Sequence, residues 1–307
     1  MAASLQTKIF PNCFQNVQKY IFSAAKRFAH SIDKPLVVKE QIGKVCLIAI
    51  NRPEKRNAVD KATAKELVTT LKAFENDDSM HVAVLHGKGG NFCAGYDLQN
   101  PEDTLSNLKE STNYGQYGPM GSPKLLVDKP IIAAIEGYAV AGGLELSLLC
   151  DMRVADETAV MGVFSRRFGV PLIDGGTVRL PKLIGYARAM DLILTGRAVS
   201  AKEAMEFGLV NKMVSTGTAL GCAIQLAHSI AEFPQECLRA DRRSAHYATF
   251  DAESLSDALR YEFENGKDVI ARESIQGAKK FLEGAGRHGS FKNPATYRTN
   301  KNEPSSS

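Results

Sequence analysis

Residues 129–151 read KPIIAAIEGYAVAGGLELSLLCD, and this stretch contains the pattern that decides the fold. The run from Ile131 to Ile135 is short and apolar throughout, as expected of a buried strand. Glycines at positions 137, 142 and 143 predict turns, and the apolar residues 144–150 predict a helix. A strand, a glycine-rich turn and a helix in direct succession are typical of α/β proteins whose helices cover a sheet.

The same order of elements returns on both sides of this stretch. Residues 36–38 and 44–51 predict two extended segments joined at Ile42-Gly43, and residues 82–85 and 152–155 predict further buried strands. Asp60 is a candidate N-cap for the helix that follows the second segment. Beyond residue 178 the pattern becomes helical, with helices predicted at 188–194, 201–207, 218–232, 235–246, 252–265 and 271–282.

Composition and charge exclude several classes of protein. The chain has 307 residues, of which 44% are hydrophobic and 23% charged, values close to those of ordinary globular proteins. The net charge is +4, and residues 1–30 account for all of it with four basic and no acidic side chains. The rest of the chain is neutral, so it lacks the basic face that a nucleic-acid partner would require. No apolar run approaches the roughly 20 residues of a membrane span.

The basic N-terminal segment has a second implication. Acid-poor, amphipathic leaders of this kind are typical of organelle transit peptides. We therefore predict that residues 1–33 direct the protein to mitochondria, with a plain disordered tail as the alternative. The C-terminal residues 305–307 are all serine, which is not a peroxisomal signal.

Cysteine and histidine spacing gives no indication of a metal or disulfide framework. The six cysteines are scattered, and no two of them are separated by only two residues. The stretch from Gly87 to Phe92 also fails as a dinucleotide fingerprint, because Phe92 stands where the third glycine should be. We expect neither a metal nor a separate cofactor.

Two glycine-rich turns follow buried strands, at residues 92–98 and 137–146. Glycine lets the backbone approach a ligand closely, so two such turns that face one point could form an oxyanion hole. Taken singly, each pattern also fits a simple tight turn.

Glu145 and Asp174 are the candidate acid and base groups. Glu145 lies among leucines in the predicted helix, where a carboxylate is rarely buried without a partner or a task. The alternative is an acid that complements the helix dipole. Asp174 precedes Gly175-Gly176, where it could equally serve as an N-cap or turn residue.

Five ordered segments together resemble the crotonase, or enoyl-CoA hydratase/isomerase, superfamily. They are residues 51–58 (NRPEKRNA), 92–98 (FCAGYDL), 129–151, 175–181 (GGTVRLP) and 194–210. The resemblance covers roughly residues 36–285. It implies an α/β spiral of ββα units at residues 34–230, a helical oligomerisation region at 231–285 that contains Phe281, and a flexible tail at 286–307.

The resemblance also assigns site residues. The oxyanion hole would consist of the backbone N–H groups of Tyr96 and Gly142, and Glu145 matches the first of two catalytic glutamates. Coenzyme A, as part of the thioester substrate, would bind at Lys55, Arg56, Ala58, Ala94 and Gly95.

The second catalytic glutamate of the family falls on Ser165, which cannot act as a carboxylic acid. Some relatives place a catalytic aspartate before a Gly-Gly pair, and Asp174 has this position. The resemblance implies an enoyl-CoA hydratase of fatty-acid or acyl-CoA metabolism, assembled as a homotrimer or hexamer, and the N-terminal leader predicts that this metabolism is mitochondrial. The alternatives are a double-bond isomerase, a carboxyacyl-CoA decarboxylase that uses Arg166 or Arg167, and a non-catalytic acyl-CoA binder.

Overall fold

The computed structural model describes residues 34–99, 118–121 and 127–283. The elements given below lie in a compact unit that begins at Leu36. The predicted leader at residues 1–33 and the predicted tail at 286–307 lie outside the described residues. No described helix has the length and apolar character needed to cross a membrane.

Strands in the described residues form two sheets. They are β1 (Val37–Ile42), β2 (Val45–Ile50), β3 (Val82–Gly87), β4 (Ile131–Ile135), β5 (Tyr138–Val140), β6 (Met152–Asp156), β7 (Val160–Gly162), β8 (Val199–Ser200) and β9 (Lys212–Val214). The larger sheet has the order β1-β2-β3-β4-β6-β9, with only the β1–β2 pair antiparallel. The smaller sheet has the order β5-β7-β8.

Helices follow the strands and fill the C-terminal part of the described chain. They are α1 (Lys61–Glu75), α2 (Gly142–Leu149), α3 (Gly176–Ile184), α4 (Tyr186–Thr195), α5 (Ala201–Phe207), α6 (Ala219–Ala231), α7 (Gln235–Phe250), α8 (Leu255–Val269) and α9 (Ile275–Leu282). A π-helical turn at Ile270–Ser274 joins α8 to α9. Short 3-10 turns occupy Pro53–Lys55 and Phe164–Phe168.

The chain passes repeatedly from one sheet to the other. β4 and β6 belong to the larger sheet, whereas β5 and β7, which follow them directly, belong to the smaller one. Each pair is followed by a helix, α2 in the first case and α3 in the second. This repetition confirms the predicted succession of ββα units. It also places the start of α2 beside the smaller sheet.

Alternate side chains of the larger sheet enter two separate apolar clusters. In β2, which is buried along its whole length, Cys46, Ile48 and Ile50 point to one cluster while Val45 and Leu47 point to the other. Helix α6 covers the second cluster with alanines spaced four residues apart, which lets the helix approach the sheet closely. Because both faces are covered, the inner strands β2 and β4 are apolar along their whole length, as predicted.

The predicted helices beyond residue 178 are confirmed, although several bounds differ. α7 continues to Phe250, four residues past the predicted end, and α8 begins at Leu255 rather than at residue 252. The sequence patterns did not indicate β5, β7, β8 or β9. The boundary between core and oligomerisation region at residue 230 stays a prediction.

Candidate functional site

Helix α2 begins in a strained turn. Ala141 has a φ of +54°, a left-handed conformation that is costly for a residue with a side chain. Its N–H donates to the Gly162 carbonyl oxygen at 2.9 Å, which ties the turn to β7. Gly142 is the first residue of α2, where a backbone N–H has no acceptor within the helix. This N–H must therefore find its acceptor outside the helix.

The turn that carries Tyr96 is oriented by a bridge to the segment before α1. Val59 N donates to the Gly95 carbonyl oxygen at 2.8 Å, and Asp97 N donates to the Val59 carbonyl oxygen at 2.8 Å. In a trans peptide the carbonyl and the N–H point in opposite directions. Because the Gly95 carbonyl points toward Val59, the N–H of Tyr96 points away from it.

The two glycine-rich turns contact each other. Cys93 N donates to the Tyr138 carbonyl oxygen at 2.8 Å, and Val140 N donates to the Cys93 carbonyl oxygen at 3.1 Å. Gly95 has a φ of +101°, and a Cβ atom placed on it would lie 3.1 Å from the Gly142 nitrogen. The structure thus brings both predicted oxyanion donors onto adjoining turns. Their role as donors stays a prediction.

The Glu145 carboxylate is buried and turned toward the segment before α3. The residue is only 3% exposed, and its Oε1 accepts hydrogen bonds from Asp174 N at 2.9 Å and Gly176 N at 2.8 Å. Burial raises the pKa of Glu145 to about 7, and the neighbouring charge of Asp174 adds to the rise while the two N–H groups oppose it. Glu145 does stand in the first turn of α2, but a surface dipole contact does not explain this environment.

Asp174 lies beside Glu145 and is almost as deeply buried, with 6% exposure. Its Oδ1 accepts a hydrogen bond from Met120 N at 3.0 Å, and burial raises its pKa to about 6. The N-cap of α3 is Gly175, and it has no side-chain capping bond, so the N-cap interpretation of Asp174 is wrong. The structure therefore brings together two buried residues with raised carboxyl pKa values, linked through the backbone N–H of Asp174.

Arg179 is a cation close to both carboxyl groups. Its Nη1 donates to the Asp174 carbonyl oxygen at 3.2 Å. Burial lowers the pKa of the guanidinium, while the charges of Glu145 and Asp174 oppose that change. The positive charge in turn lowers the pKa of both carboxyl groups, which limits the effect of burial on them.

Ser165 lies in the 3-10 turn after β7 and is 9% exposed. Its hydroxyl has no hydrogen-bond partner within the described part of the chain. The adjacent arginines are exposed, and their Nε atoms donate to backbone carbonyls, Arg166 to Ile193 and Arg167 to Gly196. These contacts tie the turn to α4 and give the decarboxylase hypothesis no support.

The predicted coenzyme A residues form one continuous region. Ala94 N donates to the Arg56 carbonyl oxygen at 3.0 Å, which joins the two predicted segments. The exposed Arg56 guanidinium lies 5.2 Å from the ring centre of Tyr138, and Lys55 Nζ donates to Gln99 Oε1 at 2.7 Å. Ala58 and Gly95 lie on either side of the Val59 bridge. Whether this region binds coenzyme A stays a prediction.

Sequence reasoning missed Met120 and the ion pair of Arg52 with Asp97. Met120 falls in no motif, yet its N–H holds Asp174, and a Cβ atom on Gly142 would lie 2.8 Å from its Sδ. Arg52 and Asp97 both lie within quoted motifs, but nothing in either motif indicated that they meet. Among the residues that the structure describes, no cluster of His, Cys, Asp and Glu could hold a metal ion.

Comparison with known proteins gives a consistent result. A family model described as "Enoyl-CoA hydratase/isomerase" matches residues 40–292. The chain is 34% identical over 254 residues to the enoyl-CoA hydratase EchA19 of Mycobacterium tuberculosis, covering 81% of this chain and 94% of that protein. It is 33% identical to a probable mitochondrial enoyl-CoA hydratase of Dictyostelium discoideum, covering 81% of this chain and 84% of that protein.

A crystal structure of an enoyl-CoA hydratase from Mycobacterium tuberculosis H37Rv superposes with a TM-score of 0.73 at 34% identity. The superposition covers 81% of this chain and 96% of that one. The fold, the order of the motifs and the sequence identity agree. The chain therefore belongs to the enoyl-CoA hydratase/isomerase family, the crotonase superfamily that its motifs resemble, and is an enzyme of the enoyl-CoA hydratase kind.

Proposed function

We propose that this enzyme adds water across the double bond of a 2-enoyl-CoA thioester, and catalyses the reverse dehydration. The observation that carries the proposal is the pair of buried carboxyl groups, Glu145 and Asp174, joined through the Asp174 N–H at 2.9 Å. The pair adjoins the first turn of α2, which contacts the turn of Tyr96. Acid and base groups beside the backbone N–H groups of two adjoining turns suit chemistry that passes through an enolate.

The proposed reaction assigns one task to each group. Glu145 accepts a proton from water as the hydroxyl adds to the β-carbon, and the electrons of the double bond move toward the thioester oxygen. The N–H groups of Tyr96 and Gly142 stabilise the negative charge on that oxygen. Asp174 then donates a proton to the α-carbon. Loss of one such N–H donor typically costs about 2.7–4 kcal/mol of transition-state stabilisation.

The pKa values fit this assignment. Burial raises the pKa of both carboxyl groups toward neutrality, to about 7 for Glu145 and about 6 for Asp174, so either group can gain or lose a proton near neutral pH. Protonated Glu145 with ionised Asp174 is the state that hydration leaves behind and that dehydration needs at its start. Movement of one proton to Asp174 restores the state needed for hydration.

The experiment is an absorbance assay with crotonyl-CoA and longer 2-enoyl-CoAs, whose conjugated thioester band disappears on hydration. We expect Glu145→Gln and Asp174→Asn each to abolish turnover and to leave coenzyme A binding intact. Glu136→Gln is the matched control, because Glu136 is also partly buried with a pKa raised by burial, yet lies in the turn before β5. This variant should retain wild-type turnover.

The same assay distinguishes the alternatives. Binding without turnover on any enoyl-CoA would favour a non-catalytic binder and contradict the proposal. Full turnover in Asp174→Asn would remove Asp174 from the mechanism. An absorbance increase with a 3-enoyl-CoA that depends on Glu145 alone would indicate a double-bond isomerase, in which one carboxylate moves the proton.

We further propose that coenzyme A binds as part of the substrate at the region of Lys55, Arg56 and Ala94, and that no separate cofactor is needed. Basic residues at its edge suit the phosphates of coenzyme A. The assay without added metal or nucleotide tests this proposal, since a requirement for either would contradict it.

We propose a mitochondrial location on the basis of the basic, acid-free residues 1–30. One relative is named as mitochondrial, whereas several others are bacterial. Residues 1–33 fused to a fluorescent protein should carry it into mitochondria, and replacement of the four basic residues by glutamine should abolish import. Diffuse fluorescence of the unaltered fusion would contradict the proposal.

We also propose that the chain assembles as a trimer or hexamer through its C-terminal helices. Exposed apolar side chains on α8 and α9 support this interpretation: Leu255, Leu259, Phe263, Phe281 and Leu282. Contiguous exposed apolar side chains are typical of association surfaces.

A further inference from the structure

Asp97 places a carboxylate immediately after Tyr96, the residue whose N–H is proposed to stabilise the enolate. The Asp97 side chain is only 11% exposed, so its charge is weakly screened by solvent. An uncompensated negative charge at this position would oppose the negative charge that develops on the thioester oxygen. The site therefore requires a nearby positive charge.

Arg52 supplies that charge from the turn after β2. Its Nη2 lies 3.0 Å from Asp97 Oδ2 and 3.0 Å from Asp60 Oδ2, and its side chain is also 11% exposed. Its Nη1 donates to the Ala58 carbonyl oxygen. One guanidinium thus contacts three separate points, and Asp97 is the one that adjoins Tyr96.

These contacts surround the bridge that orients the Tyr96 peptide. Ala58 and Asp60 flank Val59 in the chain. The Val59 N–H donates to the Gly95 carbonyl oxygen and the Val59 carbonyl oxygen accepts from the Asp97 N–H, each at 2.8 Å, so the two bonds lie on either side of Tyr96. Arg52 therefore binds the residues before and after Val59 as well as the residue after Tyr96. A shift of the guanidinium would move both partners of the bridge.

The backbone of Arg52 is itself fixed. Its N–H donates to Asn57 Oδ1 at 2.9 Å, and Asn57 is fully buried. The Asn57 amide donates to the carbonyl oxygens of Lys88 at 2.8 Å and Asn91 at 2.6 Å. Arg52 is thus anchored to the loop after β3, so its guanidinium has a defined position.

We propose that Arg52 is a positioning residue for the oxyanion hole, which fixes the Tyr96 N–H and neutralises Asp97 beside the developing enolate. This inference rests on the proposed function. It predicts that the fall in kcat on removing Arg52 comes largely from the negative charge of Asp97, which is then no longer neutralised. Removal of that charge as well should then restore activity.

The test compares Arg52→Gln with two double variants, measured for kcat and KM on crotonyl-CoA. Arg52→Gln should lower kcat about 10- to 100-fold with little change in KM, because the lost stabilisation is needed only in the transition state. The double variant Arg52→Gln with Asp97→Asn should have a kcat at least about tenfold higher than that of Arg52→Gln, because the negative charge beside the oxyanion is then gone.

Asp60→Asn combined with Arg52→Gln is the matched control. Asp60 contacts the same nitrogen at the same distance, but it lies at the N-terminus of α1, where its Oδ1 accepts from Thr63 N. Asparagine is an equally good N-cap. This double variant should show no recovery, because the charge beside Tyr96 remains.

The outcomes separate this inference from the proposed function. Absence of wild-type turnover on any enoyl-CoA would overturn both. Wild-type turnover combined with equal kcat values for Arg52→Gln and both double variants would overturn the inference alone, as would an effect confined to KM. If Arg52→Gln does not fold, Arg52→Lys is the substitute, because it keeps a positive charge beside Asp97. This variant should retain most of the wild-type kcat, and a loss of kcat of about 10- to 100-fold in a folded Arg52→Lys would overturn the proposal.

Discussion

At the scale of single residues, burial decides what Glu145 and Asp174 can do. Both carboxyl groups are hydrogen-bonded by backbone N–H groups, which favour the ionised form, yet burial prevails and raises both pKa values. Carboxyl groups whose pKa values lie near neutrality can exchange protons with substrate at physiological pH. The sequence indicated the two residues as candidate partners, but not the hydrogen bond from the Asp174 N–H to the Glu145 carboxylate.

The pH dependence of activity should reflect the pair. Catalysis by one acid and one base requires a single proton on the two carboxyls, a state most populated between their pKa values of about 6 and about 7. We expect kcat/KM on crotonyl-CoA to be bell-shaped with its maximum in that interval. Initial rates measured from pH 5 to 9 check this expectation, and a profile that rises to a plateau above pH 8 would contradict it.

The stability of the protein should depend on pH through the same groups. Both folded pKa values exceed the ordinary values of 4.5 and 3.8, so the folded protein binds more protons than the unfolded chain between about pH 4 and 7. The two carboxyl groups therefore contribute to the free energy of unfolding in full below about pH 4. This contribution is lost as the pH rises through the folded pKa values of about 6 and about 7.

A glutamine side chain in the variant Glu145→Gln cannot ionise, but it keeps an oxygen that can accept hydrogen bonds from the N–H groups of Asp174 and Gly176. The free energy of unfolding of this variant should exceed that of the wild type by up to about 3 kcal/mol at pH 8, and the difference should vanish near pH 4. Urea unfolding at a series of pH values measures it. The control Glu157→Gln, at an exposed position, should follow the wild-type curve, and a pH-independent difference for Glu145→Gln would refute the explanation.

At the scale of secondary-structure elements, close backbone contacts hold α2 against the turn of Tyr96. A Cβ atom on Gly143, the second residue of α2, would lie 2.1 Å from the Cys93 carbonyl oxygen, which is far inside van der Waals contact. Only glycine permits this approach. The first turn of α2 can therefore meet the neighbouring glycine-rich turn.

Gly143→Ala should force α2 away from that turn. We expect a loss of about 1–3 kcal/mol in the free energy of unfolding, as is typical of overpacking, together with a lower kcat. The control is Gly221→Ala in α6, where a Cβ atom would meet nothing within 4 Å. That variant should gain up to about 1 kcal/mol in helix stability. Equal free energies of unfolding and equal kcat values for the two variants would show that the close contact of Gly143 with Cys93 does not hold α2 in place.

At the scale of the whole molecule, the C-terminal helices leave apolar side chains exposed. Leu255, Leu259 and Phe263 lie four residues apart along α8, and their exposed fractions range from 56% to 76%. Residues at this spacing share one face of a helix. A face of this kind is expected to be covered by another copy of the chain in the proposed assembly.

Lysine residues introduced on this face should therefore dissociate the assembly, because charged side chains cannot be buried in an apolar contact without a large free-energy cost. Leu259→Lys combined with Phe263→Lys should shift the mass measured by light scattering from that of a trimer or hexamer to that of the monomer. Leu194→Lys is the control, since Leu194 is exposed to a similar degree but lies on α4. A wild-type chain that is monomeric at micromolar concentration would contradict the proposed assembly.

Local patterns in the sequence determined the class of fold and most long elements. The buried strands predicted at β2, β3, β4 and β6 are confirmed, because these strands lie inside the larger sheet with both faces covered. Asp60 marks the start of α1 as predicted, since its capping contacts depend on adjacent residues. Gly208, in a left-handed conformation, ends α5 for the same local reason. The motifs in their order identified the family.

Only the tertiary structure decided which distant groups meet. β5, β7, β8 and β9 span three residues or fewer, too short for a periodic pattern, and contacts with other strands define them. Arg52 meets Asp97, and Met120 and Glu145 meet the segment of Asp174, across separations of 29 to 54 residues. Residue type records neither burial nor the direction of a peptide N–H. The raised pKa values and the orientation of Tyr96 therefore arise only when the chain is folded.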